Sequence, residues 1–260
     1  MAIIACLAGT SIVFSGCEKE NNDNGDDSDK TNNPTEKLVS YICDRSIAVR
    51  YYYEYDNLNR LSKVTATEYA DFNGDGEDEE GMSWVHIITY PSANTIYYDC
   101  GDDKTILTLN NEGKMIKCVN GNRTDMFEYE DEYLKKLTNI RNSIDTSEYN
   151  YFWNNGKIDS MVCEYRRYDS KSTFTATYTY SSVPYKECSI SPWEFPNFGN
   201  VFSSRLLGKN TPYLLSSEIF DDGETINYRY ETDAEGYVTK VYRENNKIDG
   251  ERLYFEVKYK

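Results

Sequence analysis

The sequence predicts an all-β protein: a long antiparallel meander of repeated hairpins that forms a curved sheet or a barrel-like shell. Two observations support this prediction. Short segments alternate large apolar with polar residues, as in TFTATYTY (Thr173 to Tyr180), and turn signals separate most of them. Helical periodicity is nearly absent. Strands that recur about every 8–12 residues give about 14 to 18 strands in total.

The chain begins with a predicted lipoprotein signal peptide, residues 1–16. Residues 2–14 are uncharged and mostly apolar, too short for a membrane-spanning helix of about 20 residues but suited to the apolar region of a secretory signal. Small residues Ser15 and Gly16 precede Cys17. This arrangement resembles the bacterial lipobox, which implies that Cys17 is acylated and becomes the first mature residue. An ordinary signal peptide with an incidental cysteine is the alternative.

Residues 17–37 form a predicted disordered tether. The segment is acidic and rich in Asn, and no large apolar residue occurs before Leu38, so it cannot bury enough surface to fold. Its acidic start resembles the surface-export signal of Bacteroides-type lipoproteins, which implies a lipid anchor in the outer membrane and exposure at the cell surface. A spacer facing the periplasm is the alternative. Residues 38–260 then fit a single all-β domain.

Charge and cysteine content limit the partners. The formal net charge of −16 argues against nucleic acid, which requires a basic surface. Cys6 belongs to the signal peptide, which leaves an odd number of cysteines in the domain. Cys100 and Cys118 flank a hairpin and could pair, but spacing does not establish connectivity. The domain cysteines are Cys43, Cys100, Cys118, Cys163 and Cys188.

A degenerate hairpin repeat organises the domain. Each copy has an apolar residue two places after a turn residue and another five places after it. The copies are NRLSKV (59–64), GKMIKC (113–118), EYLKKL (132–137), GKIDSM (156–161) and GYVTKV (236–241). The two apolar residues are three apart, so they fall on opposite faces unless a bulge intervenes. Gly or Asn59 suits a tight turn, whereas Glu132 requires a different one.

Four copies place a lysine just before the second apolar residue. We expect these lysines to line up across the sheet, on the face of the first apolar residue, and to discourage aggregation through edge strands. They are Lys63, Lys117, Lys136 and Lys240.

Residues 183–215 interrupt the repeat with four of the six prolines and several large aromatic residues. Prolines exclude a central strand there. We expect an irregular apolar insertion with a short helix near residues 200–207, ended by Gly208. The insertion covers a sheet face or plugs one end; a ligand lid is the alternative.

The segment YYYEYDNLNRL, which begins at Tyr51, resembles the tyrosine–aspartate repeat of long bacterial shell proteins that encapsulate toxins. Here the aspartate is expected in only one copy. The whole mature chain is more similar to a Bacteroides-type surface lipoprotein family of unknown function with a porin-like fold. That resemblance rests on the lipobox and tether, the repeat, and GKNTPYLLSSEI (Gly208 to Ile219). It implies a curved, many-stranded shell and transfers no catalytic residue.

A water-facing shell is expected rather than a membrane pore, because a membrane barrel needs an apolar outer band. In the last strand, Tyr254, Glu256 and Lys258 alternate with Phe255, Val257 and Tyr259. The first three would face outward and place charges where lipid would lie.

DFNGDGEDEE, residues 71–80, contains a candidate calcium site. Alternating oxygen ligands followed by a glycine match the start of a calcium loop, but the twelfth position is Met82 instead of the bidentate glutamate. The predicted ligands are Asp71, Asn73, Asp75, Glu77 and Glu79. A solvated acidic hairpin tip is the alternative.

No catalytic residue is predicted. The single histidine, His86, alternates with Trp84, Ile88 and Tyr90 and is expected to pack among aromatic residues. It would also have to supply any zinc site or nucleophile–histidine pair, and no ligand spacing fits. The 25 tyrosines either form cross-strand ladders or bind glycan rings.

The predicted function is therefore a lipid-anchored envelope protein that serves as a non-enzymatic binding or structural module for a glycan, a peptide or a partner lipoprotein. A surface hydrolase acting on polysaccharide or peptide is the alternative, with paired carboxylates as its signature.

Overall fold

The protein forms a closed barrel of 16 antiparallel strands. A computed structural model describes residues 37–70, 78–101, 103–142, 144–168, 170–186 and 204–260. The strands are β1 (Val39–Asp44), β2 (Val49–Tyr55), β3 (Leu61–Ala70), β4 (Glu79–Ser92), β5 (Thr95–Cys100), β6 (Asp103–Leu109), β7 (Met115–Asn120), β8 (Arg123–Glu130), β9 (Tyr133–Arg141), β10 (Asp145–Asn154), β11 (Lys157–Arg167), β12 (Ser170–Pro184), β13 (Tyr213–Phe220), β14 (Thr225–Thr232), β15 (Val238–Asn245) and β16 (Ile248–Tyr259). The all-β prediction is confirmed, and the sheet closes.

The first and last strands close the barrel. Each strand pairs with its neighbours in sequence, and β1 pairs with β16 so that Val39 lies opposite Tyr259. Leu38 and Lys260 exchange two backbone hydrogen bonds, at 3.1 and 2.8 Å, beyond the ends of those strands. Closure leaves the described strands without an unpaired sheet edge, which removes the usual template for strand-to-strand aggregation.

A β-bulge explains the spacing of the repeat. In the first copy Leu61 lies opposite Tyr55 and Lys63 lies opposite Glu54, so Ser62 is an extra residue with no position opposite it in the register. The extra residues of the other copies are Ile116, Lys135, Asp159 and Thr239. Because each bulge adds one residue, both apolar residues of each copy point inward despite their separation of three. All ten are at most 4 % exposed.

The same bulge corrects the expected position of the lysines. Each lysine precedes an inward-facing residue and therefore faces outward, not with the first apolar residue. Lys63 forms an ion pair of 2.7 Å with Glu54 of the paired strand, and Lys240 lies 3.4 Å from Glu231 in the equivalent position. At least one strand separates any two lysine-bearing strands, so the lysines do not form a continuous ladder.

An aromatic hydrogen bond accompanies every copy of the bulge. The backbone carbonyl of the first apolar residue accepts a hydrogen bond from an aromatic side chain on the following strand. The donor–acceptor pairs are Tyr90 to Leu61, Tyr129 to Met115, Trp153 to Leu134, Tyr180 to Ile158 and Tyr259 to Val238, at 2.6 to 2.9 Å. A bulge interrupts the ladder, so these bonds satisfy carbonyl groups that are buried beside the core.

Three turns share the same hydrogen bonds from backbone N–H groups to an Asp or Asn side chain. Asp56 Oδ1 accepts hydrogen bonds from the backbone N–H groups of Leu58 and Arg60, both at 2.9 Å. Asn110 and Asp233 accept the equivalent pairs in their own turns. This is the local side-chain-to-backbone bonding that favours Asp and Asn in turns. The expectation that the repeat aspartate occurs in a single copy is therefore wrong, since Asp233 is a second one.

Glu132 indeed uses a different turn. The β8–β9 connection is a two-residue turn in which Asp131 takes the left-handed conformation at φ 55°. Asp131, one residue earlier in the chain, thus fills the role that Gly or Asn has in the other copies.

The two ends of the barrel differ in what they bury. We call the end with the turns after even-numbered strands the apolar end. Its buried layer is Leu61, Met115, Leu134, Ile158 and Val238, each at most 2 % exposed. We call the opposite end the polar end. There the buried residues include Asp44, Thr67, Thr105, Asp125 and Asn139.

The described part of the predicted insertion lies at the apolar end. A short 3-10 helix (Ser204–Leu207) precedes Gly208, which has φ +87° and passes against the Glu132 carbonyl oxygen. Leu206 and Leu207 are buried and belong to the main hydrophobic cluster, so this segment covers the interior at that end. The insertion is shorter than expected, because β12 continues through Pro184 and β13 begins at Tyr213. Residues 187–203 lie outside the described residues.

Cys43, Cys118 and Cys163 are buried free thiols, so Cys118 does not pair with Cys100; Cys188 lies outside the described residues.

No helix in the part of the chain that the structure describes is long and apolar enough to cross a membrane.

Candidate functional site: an aromatic chamber

A cavity of about 330 Å³ opens inside the polar end of the barrel. We call it the aromatic chamber. Most of its wall is aromatic and comes from β10, β12, β13, β14 and β16. The aromatic members are Tyr151, Phe174, Tyr178, Phe220, Tyr228 and Tyr254. Its two charged members are Glu218 and Arg243.

Strand register places Glu218 in the chamber wall. Glu218 on β13 lies opposite Tyr178 on β12 and Ile226 on β14. Directly paired residues point to the same face of a sheet. Ile226 is 4 % exposed and belongs to the core, so this row faces inward and the carboxyl group reaches the interior.

The alternation of side chains along a strand also places Arg243 in the chamber wall. It follows the second apolar residue of its repeat copy, Val241, by two positions, and the strand period of two keeps both on the inner face. Tyr254 on β16 reaches the chamber wall as the extra residue of a further bulge. Val241 pairs with Phe255 and Tyr242 pairs with Leu253, so Tyr254 is the extra residue of the bulge in the β15–β16 register. The expectation that Tyr254 faces outward is therefore wrong, although Phe255 and Val257 are buried as expected.

Burial changes the protonation of the chamber acid. It raises the pKa of Glu218 to about 7, while the hydrogen bond from Tyr228 Oη to Glu218 Oε1 (3.2 Å) and the charge of Arg243 lower it. Burial also raises the pKa values of Tyr178 and Tyr228. Near neutral pH the chamber therefore offers two protonated phenols and a carboxyl group that is close to its titration midpoint.

Two other buried carboxyl groups at the polar end are structural. Asp44 accepts hydrogen bonds from the backbone N–H (2.9 Å) and hydroxyl (2.6 Å) of Ser46 in the β1–β2 turn. Asp125 is paired with Arg123 at 3.0 Å and accepts a hydrogen bond from Asn139. Burial raises the pKa values of both acids. Neither lines the chamber, where Glu218 is the only acid among the described residues.

His86 packs inside the barrel as predicted from its strand pattern. Its side chain is 4 % exposed and its ring centroid lies 4.7 Å from that of Tyr98. Burial lowers the pKa of His86 to about 4, so the ring is neutral at physiological pH. It is not a member of the chamber wall.

The predicted lipid and calcium residues lie largely outside the described residues. These are Cys17 and the loop positions Asp71, Asn73, Asp75 and Glu77. Glu79 is described; it begins β4 opposite Ala70 and is exposed. Within the described residues no group of three or more His, Cys, Asp or Glu side chains could hold a metal ion. The calcium site and the lipidation therefore stay predictions.

The sequence patterns did not single out Glu218 or Arg243. A signal for Arg243 exists: the position two residues after the second apolar residue of each copy also faces inward. Those positions are Ala66, Asn120, Asn139, Cys163 and Arg243, and only the last is charged. For Glu218 the signal is weaker, since it depends on sharing a face with Phe220 in a strand without a full repeat copy.

Comparison with known proteins relates the chain to a fold. No known family model matches the sequence, and no curated protein matches it either. The structure is similar to the crystal structure of a porin-like protein from Bacteroides uniformis, with a TM-score of 0.60 and 20 % sequence identity over 85 % of this chain and 98 % of that one. At this identity the likeness concerns architecture alone, and the chain has a porin-like β-barrel fold.

Proposed function

We propose that the protein is a lipid-anchored, non-enzymatic binding module of the cell envelope whose aromatic chamber binds a saccharide. The observation that carries the proposal is the chamber itself: six aromatic side chains surround one carboxyl group and one guanidinium group inside the polar end. Small-molecule sites are typically concave, mostly apolar, and carry a few polar groups that fix orientation. At about 330 Å³ the chamber is at the small end of such sites.

The chemistry of the wall suits a sugar ring. The C–H groups on the face of a pyranose are apolar and pack on aromatic rings, whereas its hydroxyl groups need donors and acceptors at the edge. Phe174 and Phe220, with ring centroids 6.3 Å apart, supply apolar faces. Glu218 and the hydroxyl groups of Tyr178 and Tyr228 supply polar contacts that are already buried and ordered, which lowers the entropic cost of binding.

The envelope location rests on the amino-terminal sequence and agrees with the outer surface of the barrel. Cys17 would carry the lipid and residues 17–37 would span the distance to the barrel, with the periplasmic orientation as the alternative. Outward-facing ion pairs such as Lys63–Glu54 at 2.7 Å and Lys171–Glu164 at 2.8 Å suit a water-facing surface. The described chain enters at Lys37, at the apolar end, so the chamber would open away from the anchor.

Location and anchoring have a direct test. A Cys17→Ser variant should lose incorporation of labelled fatty acid and leave the membrane fraction, whereas the wild-type chain keeps both. Protease treatment of intact cells should degrade the wild-type barrel if it is exposed at the surface. Protection from protease until the outer membrane is opened would favour the periplasmic orientation.

Saccharide binding is tested on a glycan array with the full-length protein in detergent, followed by calorimetric titration of each hit. Phe174→Ala removes an aromatic wall and should weaken binding at least tenfold. Phe152→Ala is the matched control, since Phe152 is 52 % exposed on the outer surface and should leave binding unchanged. Equal behaviour of the two variants, or no saccharide ligand at all, would contradict the proposal.

A hydrolase is the second candidate, and one observation favours it: the raised pKa of Glu218, about 7, is typical of a general acid. Glycoside hydrolysis commonly needs a second carboxylate within about 5–10 Å, and no other acid of the described chain lines the chamber. The same array samples, analysed for hydrolysis products, separate the two functions. Turnover that Glu218→Gln abolishes would establish the enzyme.

A further inference from the structure

A second pocket adjoins the aromatic chamber at the polar end. Its volume is about 280 Å³, and Arg243 and Tyr254 line both cavities. Arg45 and Arg252 complete a group of three arginines in its wall, beside the polar side chains of Ser46 and Asn245. We call it the arginine pocket. No acidic side chain of the described residues belongs to its wall, although the chain as a whole carries a net charge of −16.

Two of these arginines oppose each other directly. Arg243 on β15 lies opposite Arg252 on β16, and like charges in directly opposed positions destabilise a sheet. Among the described residues no ion pair joins either of them to an acid, and Arg243 Nε is buried without a hydrogen-bond partner. An anion between the two guanidinium groups would relieve both conditions.

The neighbouring charges leave the pocket positive. Arg45 lies 3.4 Å from Glu256 and 3.6 Å from Asp78, so its charge is shared with two partly exposed acids. Glu218, which interacts with Arg243 across the chamber, has its pKa raised to about 7 by burial and does not fully neutralise it. The more distant negative charges of the barrel are screened within about 8 Å at physiological salt.

We propose that the arginine pocket binds the anionic group, a carboxylate or a sulfate ester, of an acidic saccharide whose adjoining ring lies in the aromatic chamber. The inference rests on the proposed saccharide function and specifies its ligand class. Guanidinium groups match planar carboxylate and sulfate oxygens through paired, charge-assisted hydrogen bonds. The shared residues Arg243 and Tyr254 let one ligand of two or more rings contact both cavities.

The test uses three tetrasaccharide probes with the full-length protein in detergent: a tetragalacturonate, the same molecule with its carboxyl groups reduced to alcohols, and a sulfated tetrasaccharide of the reduced backbone. Calorimetric titration should give tighter binding of an acidic probe than of the neutral one, by about tenfold or more for a charge-assisted contact. The affinity of the acidic probe should fall as salt rises. Which acidic probe binds more tightly distinguishes carboxylate from sulfate.

The decisive variant is Arg252→Gln. Arg252 is exposed at the mouth of the pocket, so its replacement removes one charge without opening the core. It should lower the affinity for the acidic probe about tenfold and leave the affinity for the neutral probe unchanged. Arg166→Gln is the matched control, because it removes the same charge from an arginine that is 54 % exposed on the outer surface. It should leave both affinities unchanged.

The outcomes separate this inference from the proposed function. If the acidic and neutral probes bind equally, Phe174→Ala weakens both and Arg252→Gln changes neither, the acidic specificity is wrong and the saccharide chamber stands. If Phe174→Ala changes no affinity, or if no probe binds, the proposed function fails and the acidic specificity fails with it.

Discussion

The apolar and polar ends of the barrel are built by the same strands and bury different chemistry. At the apolar end five bulges place five apolar side chains in one layer, and Leu206 and Leu207 cover that layer. At the polar end the same strands bury carboxyl, hydroxyl and amide groups and leave a cavity of about 330 Å³. The repeat therefore specifies one end of the molecule and leaves the other free to carry a site.

The reason lies in the position of the bulge along each strand. The turn, the bulge and its aromatic hydrogen bond are fixed within a few residues of the apolar end, so that region must repeat for the strands to keep register. Residues beyond the second apolar position need only face inward. They range from Ala66 to Arg243, and the difference between the ends is a difference in how tightly geometry constrains the side chain.

The largest expected effect compares a leucine of the packed layer with an isoleucine of the chamber wall. Leu134→Ala removes a side chain that is 2 % exposed and should cost about 3–4 kcal/mol of unfolding free energy. Ile226→Ala should cost about 2 kcal/mol, because one side of Ile226 already borders the chamber and has fewer contacts to lose. Urea unfolding monitored by circular dichroism measures both. Equal costs would show that the polar end is packed as tightly as the apolar end.

The next effect tests the covering segment through two glycines. Gly208 has φ +87°, and an added Cβ would clash with the Glu132 carbonyl oxygen and lie 3.2 Å from the Tyr129 ring. Gly208→Ala should therefore cost about 3 kcal/mol, the left-handed strain plus a backbone displacement. Gly223 has φ +83° at a turn of the polar end, with open space around it, so Gly223→Ala should cost about 1 kcal/mol from strain alone. If both variants lose a similar unfolding free energy, the segment around Gly208 moves away from the added methyl group at little cost.

The fold was largely predictable, because it depends on local signals that repeat. Alternation gave strands, turn residues gave hairpins, and their spacing gave a number that includes the observed 16. The face predicted for the repeat lysines was wrong. One extra residue reverses the direction of every following side chain, and no composition signal marks a bulge at Ser62 or Thr239.

The chamber was not predictable from those signals. Its wall unites residues from β10 to β16, and the contacts across the interior depend on closure of the barrel, which alternation does not determine. Phe174 and Tyr228 have the same local pattern as tyrosines that only bind bulge carbonyls, such as Tyr180. What separates them is distance along the strand from the bulge, a quantity that becomes visible only when the register is known.

A pH-dependent effect distinguishes the buried acid of the chamber from an acid on the surface. The pKa of Glu218 rises from 4.5 to about 7 on folding. Below pH 4.5 the group is protonated in both states and costs nothing. Between about pH 4.5 and 7 the unfolded chain releases its proton first, so the folded state loses stability as pH rises, by about 3 kcal/mol at pH 8.

Glu218→Gln should remove that loss. The variant is expected to match the wild type at pH 4 and to exceed its stability by about 3 kcal/mol at pH 8, since the amide oxygen still accepts the hydrogen bond from Tyr228. Glu244→Gln, on the exposed face of β15, is the control and should change neither value. Urea unfolding of the variant and the wild type at both pH values measures the difference in unfolding free energy. If that difference is the same at pH 8 as at pH 4, Glu218 is exposed to water and the prediction is wrong.

The smallest expected effect separates scaffold tyrosines from chamber tyrosines by a single oxygen. Tyr129 Oη donates to the Met115 carbonyl at 2.6 Å and lies 3.2 Å from the Leu206 carbonyl. Tyr129→Phe leaves the bulge carbonyl without its donor and should cost about 1–2 kcal/mol. Tyr178→Phe changes a hydroxyl group in the chamber wall and should cost less than about 0.5 kcal/mol while weakening saccharide binding. Tyr129→Phe should therefore lose more stability, and Tyr178→Phe should lose more affinity for the saccharide. The reason is that phenol groups at the apolar end stabilise the fold, whereas those at the polar end remain available to a ligand.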